Sequence, residues 1–298
     1  MKKNTNEPAP AFILDRCAPA AIAQAAWRAL IAEVTLTPKP GLVDRNNTGA
    51  HKDMTLAMFH ASANALLPHF EAIAHAGRAT ANASPSEAFA QIRPLGILAE
   101  RDMLLATGGA NTHKGAIFSL GLLTAAGSRL AAQGKAFDSG DILASAGGFA
   151  AGICARELSF SQARTKGERA YIAYGARGAR GEAEAGFPSL RDIALPALKQ
   201  TLLDGYDTET ALLVTLLHLM AQVRDTNVMT RADIAAAAFV RGCADALIKK
   251  GLPVASPAWK TALYELDCAL IARNVSPGGC ADLLACAHFV YSITEAAL

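Results

Sequence analysis

Five short polar segments interrupt an otherwise alanine- and leucine-rich chain, and they carry most of the residue types that can do chemistry. They are residues 38–53, 111–115, 178–186, 225–227 and 276–282. Most of them fall at predicted helix boundaries, where side chains from distant parts of the chain can converge on one cavity. We therefore expect the candidate site to be built from helix ends and polar loops.

The first segment, PKPGLVDRNNTGAHKDM, holds its charges in a loop whose prolines and glycines predict fixed turns. Its potential cations are Lys39, Arg45, His51 and Lys52. Cations fixed this close together could bind a polyphosphate. The alternative is an ordinary solvated loop, the commoner role of a charge-rich run.

The second segment places Asn111, Thr112, His113 and Lys114 at the start of a helix predicted over residues 112–133. A helix start favours anions because its first N–H groups are free and its dipole is positive there. His113 and Lys114 oppose that dipole, so their presence indicates an anion nearby. The spacing does not fit the G-x-x-x-x-G-K-[ST] phosphate loop. Plain helix capping is the alternative.

The third segment, GARGARGEAEAGFP, is interpreted as a glycine-rich loop that approaches a ligand closely. It carries Arg180, Glu182 and Glu184. Two carboxylates two residues apart in a loop or extended chain can flank one metal ion. Arg–Glu pairing on a flexible surface loop explains the same residues equally well.

The last two segments add oxygen and amide groups at the ends of apolar helices. Asp225 and Asn227 follow residues 211–223, which we predict to be a buried helix, and Asp282 lies near the start of the final helix. Asp282 could simply stabilise the helix dipole. As oxygen donors these groups suit Mg²⁺ better than zinc. The candidate metal ligands are Glu182, Glu184, Asp225 and Asp282.

Helical patterns that recur from end to end must position these segments, whereas strand patterns hardly appear. The sequence predicts an all-α protein: residues 1–12 form a mobile tail and residues 13–298 a single multi-helix catalytic domain. Capping signals predict helix starts after Ser84, Asp138, Asp207 and Ser276. Proline is predicted to kink or divide two helices, at Pro68 and Pro94.

Composition excludes several classes of protein. A net charge of +2 provides no global basic field for nucleic acid. The strongly apolar run at residues 211–223 is too short to span a bilayer, and the N-terminus lacks a secretory h-region. The six cysteines show no CxxC pair, as expected for reduced thiols in the cytoplasm. An alanine-rich helical surface could support a homodimer.

In order, the segments KPGLVDRNNTGAHKDM, GGANTHKGAIFSLGLL, GARGEAEAGFP, DTNV and SPGGCADLL resemble the motif set of triphosphoribosyl-dephospho-CoA synthases, from about residue 20 onward. The resemblance implies an all-α fold and transfer of the 5-triphosphoribosyl group of ATP to the ribose 2′-hydroxyl of 3′-dephospho-CoA, with release of adenine. The product would be the prosthetic-group precursor for the acyl-carrier subunit of citrate lyase or malonate decarboxylase, passed on to an acyl-carrier holo-transferase.

Under this hypothesis the charged residues divide into three groups. The triphosphate and Mg²⁺ would be held with the help of Lys39, Arg45, Lys52, Asn111, Thr112, Lys114, Arg180 and Asn227. The positive ribosyl centre would be stabilised, and the proton of the attacking hydroxyl accepted, by carboxylates among Glu182, Glu184, Asp225 and Asp282, which the sequence does not divide between base and metal ligand. The leaving adenine would be protonated by, or accept a hydrogen bond from, His51 or His113. Two alternatives remain: a Mg²⁺-dependent nucleotide hydrolase, and a non-catalytic assembly factor for the acyl-carrier subunit.

Overall fold

Every regular element in the described part of the chain is a helix, which confirms the predicted all-α fold. The computed structural model describes residues 18–134, 136–158 and 165–295, so the predicted tail at residues 1–12 lies outside it. In chain order the helices are α1 (Pro19–Thr35), α2 (Leu56–Ala79), α3 (Pro85–Ala106), α4 (Lys114–Ala132), α5 (Ser139–Phe149), α6 (Ile153–Glu157), α7 (Lys166–Tyr174), α8 (Gly178–Glu184), α9 (Leu195–Leu203), α10 (Thr208–Gln222), α11 (Thr226–Arg231), α12 (Ile234–Lys249), α13 (Pro257–Ala272) and α14 (Gly278–Thr294). A π-helical turn, Leu190–Ala194, precedes α9.

Side-chain caps set several helix starts where the sequence predicts them. The Ser84 hydroxyl accepts the Glu87 N–H (3.3 Å), and the Glu87 carboxylate accepts the Ser84 N–H (2.8 Å). Asp138 and Asp141 form the same reciprocal pair at the start of α5. Asp207 caps α10 with its carboxylate. Each cap satisfies backbone donors that a helix start otherwise leaves free.

Neither internal proline divides its helix. Helix α2 continues through Pro68, and α3 continues through Pro94. A proline removes one N–H from the ladder, but the packing of the surrounding turns can hold the helix together. In α2 that packing comes from Leu66, Phe70 and Ile73, which are fully buried around the proline.

Helices α4 and α14 lie at the centre of the bundle. Helix α14 packs on α1, α4 and α10, while α2 packs on α1, α3 and α4. Helix α4 is long and apolar enough to span a bilayer, but 78% of its most apolar stretch is buried among the other helices. Helix α10 covers residues 211–223 almost entirely and is buried as predicted.

The contact between α2 and α4 depends on a glycine. A Cβ atom placed on Gly77 would lie 2.3 Å from the carbonyl oxygen of Ala125, so the two backbones approach more closely than any side chain allows. Gly242, on the exposed side of α12, has no atom within 4 Å of the same added position. The first glycine serves packing, whereas the second only weakens its helix.

We predict that Gly77→Ala lowers the free energy of unfolding by about 2 kcal/mol, because α2 and α4 must separate to admit the methyl group. The matched control Gly242→Ala should raise it by about 0.5–1 kcal/mol, since alanine favours the helix and meets no neighbour. Urea titration followed by circular dichroism measures both values. Equal effects of the two substitutions would contradict the close packing at Gly77.

Candidate active site

A cavity of about 1040 Å³ opens between the helix ends, and residues from all five polar segments line it. Among the predicted site residues, its lining includes Lys39, His51, Asn111, Thr112, His113, Lys114, Arg180, Glu182, Asp225, Asn227 and Asp282. Arg45, Lys52 and Glu184 are not in this lining. The fold therefore brings together most of the predicted set and leaves three members outside.

Lys39 reaches the cavity as one half of a buried ion pair. Its ammonium group contacts the Glu33 carboxylate and donates to the Glu33 carbonyl oxygen (2.9 Å). Both side chains are almost completely buried. Glu33, on α1, was not predicted from the sequence. Because this carboxylate already compensates its charge, Lys39 is not the free phosphate clamp that the loop sequence indicated.

Two further cations of the same loop lie outside the cavity lining. Arg45 is 56% exposed and lies 3.5 Å from Glu209, and Lys52 is also exposed. The reason is the turn geometry: Gly41 and Gly49 both take positive φ, +72° and +55°. These turns direct Lys39 inward and Arg45 outward, so the prediction that all the loop cations converge is wrong for Arg45 and Lys52.

His113 is buried at the start of α4 beneath the cavity surface. Its Nδ1 lies 2.6 Å from the Ser62 hydroxyl, and its ring meets the Phe59 ring edge-on with centroids 5.0 Å apart. Its Nε2 is buried and has no hydrogen-bond partner among the described residues. Burial, with the charge of Lys39, lowers the pKa of His113 to about 3. The imidazole is therefore neutral, which corrects the expectation of a cation or proton donor here.

Two protein carboxylates face the start of α4. Lys114 pairs with Glu100, while the Asn111 side chain accepts the Lys114 N–H (3.2 Å). Asp282 lies against Gly115, where an added Cβ would come within 2.1 Å of its Oδ2. In the sequence, the cations at this helix start indicated an external anion. The structure supplies Glu100 and Asp282 at the same end, so the charge mismatch by itself does not require a ligand.

Asp282 belongs to a group of buried carboxyl groups. Burial raises the pKa of Asp282 well above its usual range, and the negative charges of Glu33 and Asp225 raise it further. The N–H of Ala116 acts in the opposite direction by hydrogen bonding to the carboxylate. These carboxyl groups come from α1, the α11 start and α14, so they meet only in the folded chain.

Asp225 joins the starts of two helices. Its Oδ1 accepts the N–H groups of Asn227 (2.7 Å) and Val228 (3.3 Å), capping α11. Its Oδ2 accepts the N–H of Cys280 in the first turn of α14 (2.9 Å). Burial raises the pKa of Asp225 even though these N–H groups stabilise its charged form. Asp225 therefore has a bracing role in addition to its place in the cavity wall.

The predicted glycine-rich loop is wrong, because residues Gly178–Glu184 form helix α8. Residues two apart on a helix point to different faces. Glu182 accepts the N–H (2.6 Å) and hydroxyl (3.0 Å) of Ser189, whereas Glu184 accepts the N–H of Cys154 (3.4 Å). The two carboxylates therefore do not flank one ion. Within the described ranges no three His, Cys, Asp or Glu side chains form a metal-binding group.

His51 is held by hydrogen bonds on both ring nitrogens. Arg231 donates to Nδ1 (3.1 Å) and to the carbonyl oxygen of Ala50 (2.6 Å), and Nε2 lies 2.8 Å from the Ser276 hydroxyl. Since arginine can only donate, Nδ1 is an acceptor and Nε2 carries the proton, which points to Ser276. Both ring nitrogens of His51 therefore have partners within the protein, while its role toward the leaving adenine stays a prediction.

The comparisons with known proteins all point to one family. A family model described as ATP:dephospho-CoA triphosphoribosyl transferase matches residues 19–297. The 2-(5''-triphosphoribosyl)-3'-dephosphocoenzyme-A synthase of Klebsiella pneumoniae is 43% identical over 279 residues, covering 93% of this chain and 92% of the relative. The synthase of the same name from Pectobacterium atrosepticum is 45% identical over 271 residues, covering 91% and 88%.

The chain belongs to the ATP:dephospho-CoA triphosphoribosyl transferase family. A probable synthase of the same name from Salmonella typhimurium is 45% identical over 265 residues, covering 88% of this chain and 87% of the relative. No solved structure is significantly similar to the chain.

Several charged residues of this family member's cavity were not predicted as site residues from the sequence. Besides Glu33, they are Arg93, Glu100, Glu157, Arg169, Arg224 and Arg231. Glu157 pairs with both Arg93 and Arg180, its Oε2 lying 2.8 Å from the Arg180 Nε. Arg93 and Glu100 lie seven residues apart on the one face of α3 that lines the cavity. That helical spacing was the signal available in the sequence.

We predict that His113 makes the transferase sensitive to acid. The unfolded chain binds a proton near pH 6.5, whereas folded His113 resists protonation until about pH 3. Stability from this group is complete above pH 6.5 and falls as the pH drops toward 3. Between pH 7 and 5 the wild type should lose about 2 kcal/mol more than His113→Gln does.

Urea denaturation at several pH values measures how steeply the free energy of unfolding of each variant changes with pH. His75→Gln, which removes an exposed histidine of α2, is the matched control and should follow the wild-type slope. A His113→Gln variant with the wild-type pH slope would show that His113 is protonated in the folded protein.

Proposed function

We propose that this chain transfers the 5-triphosphoribosyl group of ATP to the ribose 2′-hydroxyl of 3′-dephospho-CoA and releases adenine. One observation, besides family membership, supports it most. Four carboxyl groups of the lining are buried or half-buried, while four of its six arginines are exposed. These less exposed carboxyl groups, called here the deep carboxyl groups, are Glu33, Glu182, Asp225 and Asp282. Such a cavity suits a ligand with a positive reacting centre and anionic phosphates.

The chemistry of the reaction requires negative charge at the ribosyl carbon. The acceptor 2′-oxygen bonds to C1′ of the ATP ribose while the C1′–N9 bond to adenine breaks. Positive charge develops at C1′, as in glycoside hydrolysis, and nearby carboxylates stabilise it. The hydroxyl proton passes to a base, and the adenine takes up a proton as it leaves. The deep carboxyl groups supply the negative charge that stabilises C1′.

Glu182 is the best candidate for the base. It lines the cavity, and burial raises the pKa of its carboxyl group, which strengthens it as a proton acceptor. Two hydrogen bonds from Ser189 fix its orientation. Glu184 lies outside the cavity lining, and Asp225 already accepts three backbone N–H groups. Neither is as well placed to take a proton.

The carboxyl groups also fit Mg²⁺. Asp282, repelled by the charges of Glu33 and Asp225, would gain from a nearby cation. Mg²⁺ commonly uses one or two carboxylates and completes its shell with substrate phosphates and water. We assign Asp282 as the principal ligand, with Asp225 beside it. When bound, the ion would neutralise part of the triphosphate charge.

Polar groups at the start of α4 would position the substrate. The Thr112 hydroxyl is buried and has no hydrogen-bond partner among the described residues, as is true of His113 Nε2. Lys114 and Arg180 add positive charge, and Asn111 and Asn227 add amide donors. We propose that Thr112 contacts a phosphate and that neutral His113 forms a hydrogen bond to the ribose or adenine.

The location and partners follow from the same proposal. Both ATP and dephospho-CoA are available in the cytoplasm, where we place the protein. The product carries a triphosphoribosyl arm, which we expect an acyl-carrier holo-transferase to attach to the carrier subunit of citrate lyase or malonate decarboxylase. Neither nucleic acid nor a membrane has a role in this reaction.

Product analysis tests the proposal directly. The purified chain, incubated with ATP, Mg²⁺ and dephospho-CoA, should release adenine and form an adduct with the mass of the triphosphoribosyl product. Omitting dephospho-CoA or chelating Mg²⁺ should abolish both. Release of phosphate without adenine would instead indicate a nucleotide hydrolase. Tight binding of an acyl-carrier subunit without turnover would indicate an assembly factor.

We predict that Glu182→Gln lowers kcat for adenine release about a hundredfold or more, because glutamine cannot accept the proton. The substitution keeps a carbonyl oxygen for Ser189, so the fold should be retained, as thermal melting can verify. Glu265→Gln removes an exposed carboxylate outside the cavity and should leave kcat unchanged. Wild-type turnover by Glu182→Gln would exclude Glu182 as the base.

A further inference from the structure

The mouth of the cavity carries three exposed arginines that the reaction as described does not use. They are Arg169, Arg177 and Arg224, called here the arginine rim. Arg169 lies on α7, Arg177 immediately before α8, and Arg224 just before α11. Helix α7 packs on α11, and an added Cβ on Gly178 would lie 3.2 Å from the Thr226 hydroxyl. The packing of these elements therefore places the rim along one edge of the mouth.

The rim differs from the other arginines of the cavity in its partners. Arg93 and Arg180 are both paired with Glu157, and Arg231 is bound to His51 and Ala50. The side chains of these three arginines therefore already have partners within the protein.

Arg177, in contrast, is 61% exposed, with Glu184 at a loose 3.5 Å. Neither Arg169 nor Arg224 forms an ion pair with any described residue. Glu168, beside Arg169, accepts the N–H of Thr165 at the start of α7. The fold therefore leaves the charge of the rim largely uncompensated.

The two lysines of the cavity lining already form ion pairs with carboxylates. Lys39 is paired with Glu33, and Lys114 with Glu100. The proposed function requires the cavity to hold two polyanions at once, the triphosphate of ATP and the diphosphate of dephospho-CoA. Like charges brought into one cavity of about 1040 Å³ repel unless each group has its own cations. A second anion subsite is thus a requirement of the reaction.

Resting on that proposed function, we propose that the arginine rim binds the diphosphate of dephospho-CoA and that the triphosphate of ATP lies deeper. Asp225 and Asp282, the carboxyl groups proposed to hold Mg²⁺, are less exposed than the rim, and the triphosphate is the better partner for the ion. In dephospho-CoA the diphosphate separates the reacting ribose from the long pantetheine arm. A diphosphate held at the mouth keeps the reacting ribose inside and directs the pantetheine arm into solvent.

Steady-state kinetics with each substrate varied in turn tests the assignment. Arg169→Ala and Arg224→Ala should each raise KM for dephospho-CoA about tenfold, since each removes a charge-assisted contact to the diphosphate. KM for ATP should change less than twofold. The double variant should lose more than either single one. Arg101→Ala, an exposed arginine of α3 outside the cavity, is the matched control and should change neither constant.

Three outcomes would overturn the proposal. A larger rise in KM for ATP than for dephospho-CoA would assign the rim to the triphosphate. Unchanged constants for both substrates would show that the rim binds neither. An equal rise in KM for dephospho-CoA in Arg101→Ala would show that the rim acts only through general electrostatic attraction.

Direct binding separates this proposal from the proposed function. Calorimetry of dephospho-CoA with the wild type and the rim variants, without ATP, needs no turnover. If the wild type binds dephospho-CoA through the rim but releases no adenine, the rim assignment stands and the transfer reaction fails. If the wild type releases adenine but the rim variants bind dephospho-CoA normally, the transfer reaction stands and the rim assignment fails.

Discussion

The carboxylate of Asp225 connects two helix starts by accepting the N–H of Cys280, which lies 55 positions later in the chain. One of its oxygens caps α11 and the other receives the first-turn N–H of Cys280 in α14. The cavity lies where these helices begin, so this one side chain fixes the relative positions of its two walls. A buried acceptor with three donors is hard to replace, because removing it leaves all three N–H groups unpaired.

The rest of the cavity is organised by the cost of burying charge. A carboxylate removed from water needs a cation, hydrogen-bond donors or a proton. Glu33 has Lys39, Glu182 has the N–H and hydroxyl of Ser189, and Asp282 has the N–H of Ala116. Lys39 lies in the loop after α1, Ser189 directly before the π-helical turn, and Ala116 in the first turn of α4. Loops and helix starts therefore supply these partners.

The sequence predicted the fold and the convergence of the polar segments better than the direction of individual side chains. Helix starts at Ser84, Asp138 and Asp207 could be predicted because capping depends on residues only three positions apart. The inward turn of Lys39 and the outward turn of Arg45 could not, because they depend on the tertiary packing of the loop between Gly41 and Gly49.

The remaining errors have similar causes. The glycines of residues 178–186 indicated a loop, yet this stretch forms helix α8, because tertiary packing outweighs weak local propensity. His113 could not be recognised as neutral, since its protonation depends on burial and on Lys39, 74 positions earlier in the chain. Glu33 could not be recognised as a cavity residue, because only the folded chain brings it against Lys39.

The unpaired Nε2 of His113 has a consequence for how the cavity distinguishes its ligands. The protein has already removed this nitrogen from water without giving it a partner among the described residues. A ligand with a complementary atom at that point recovers about 1–3 kcal/mol, whereas an isostere without one recovers nothing. A ligand that cannot form this hydrogen bond binds more weakly, so the cavity can distinguish ligands of the same shape.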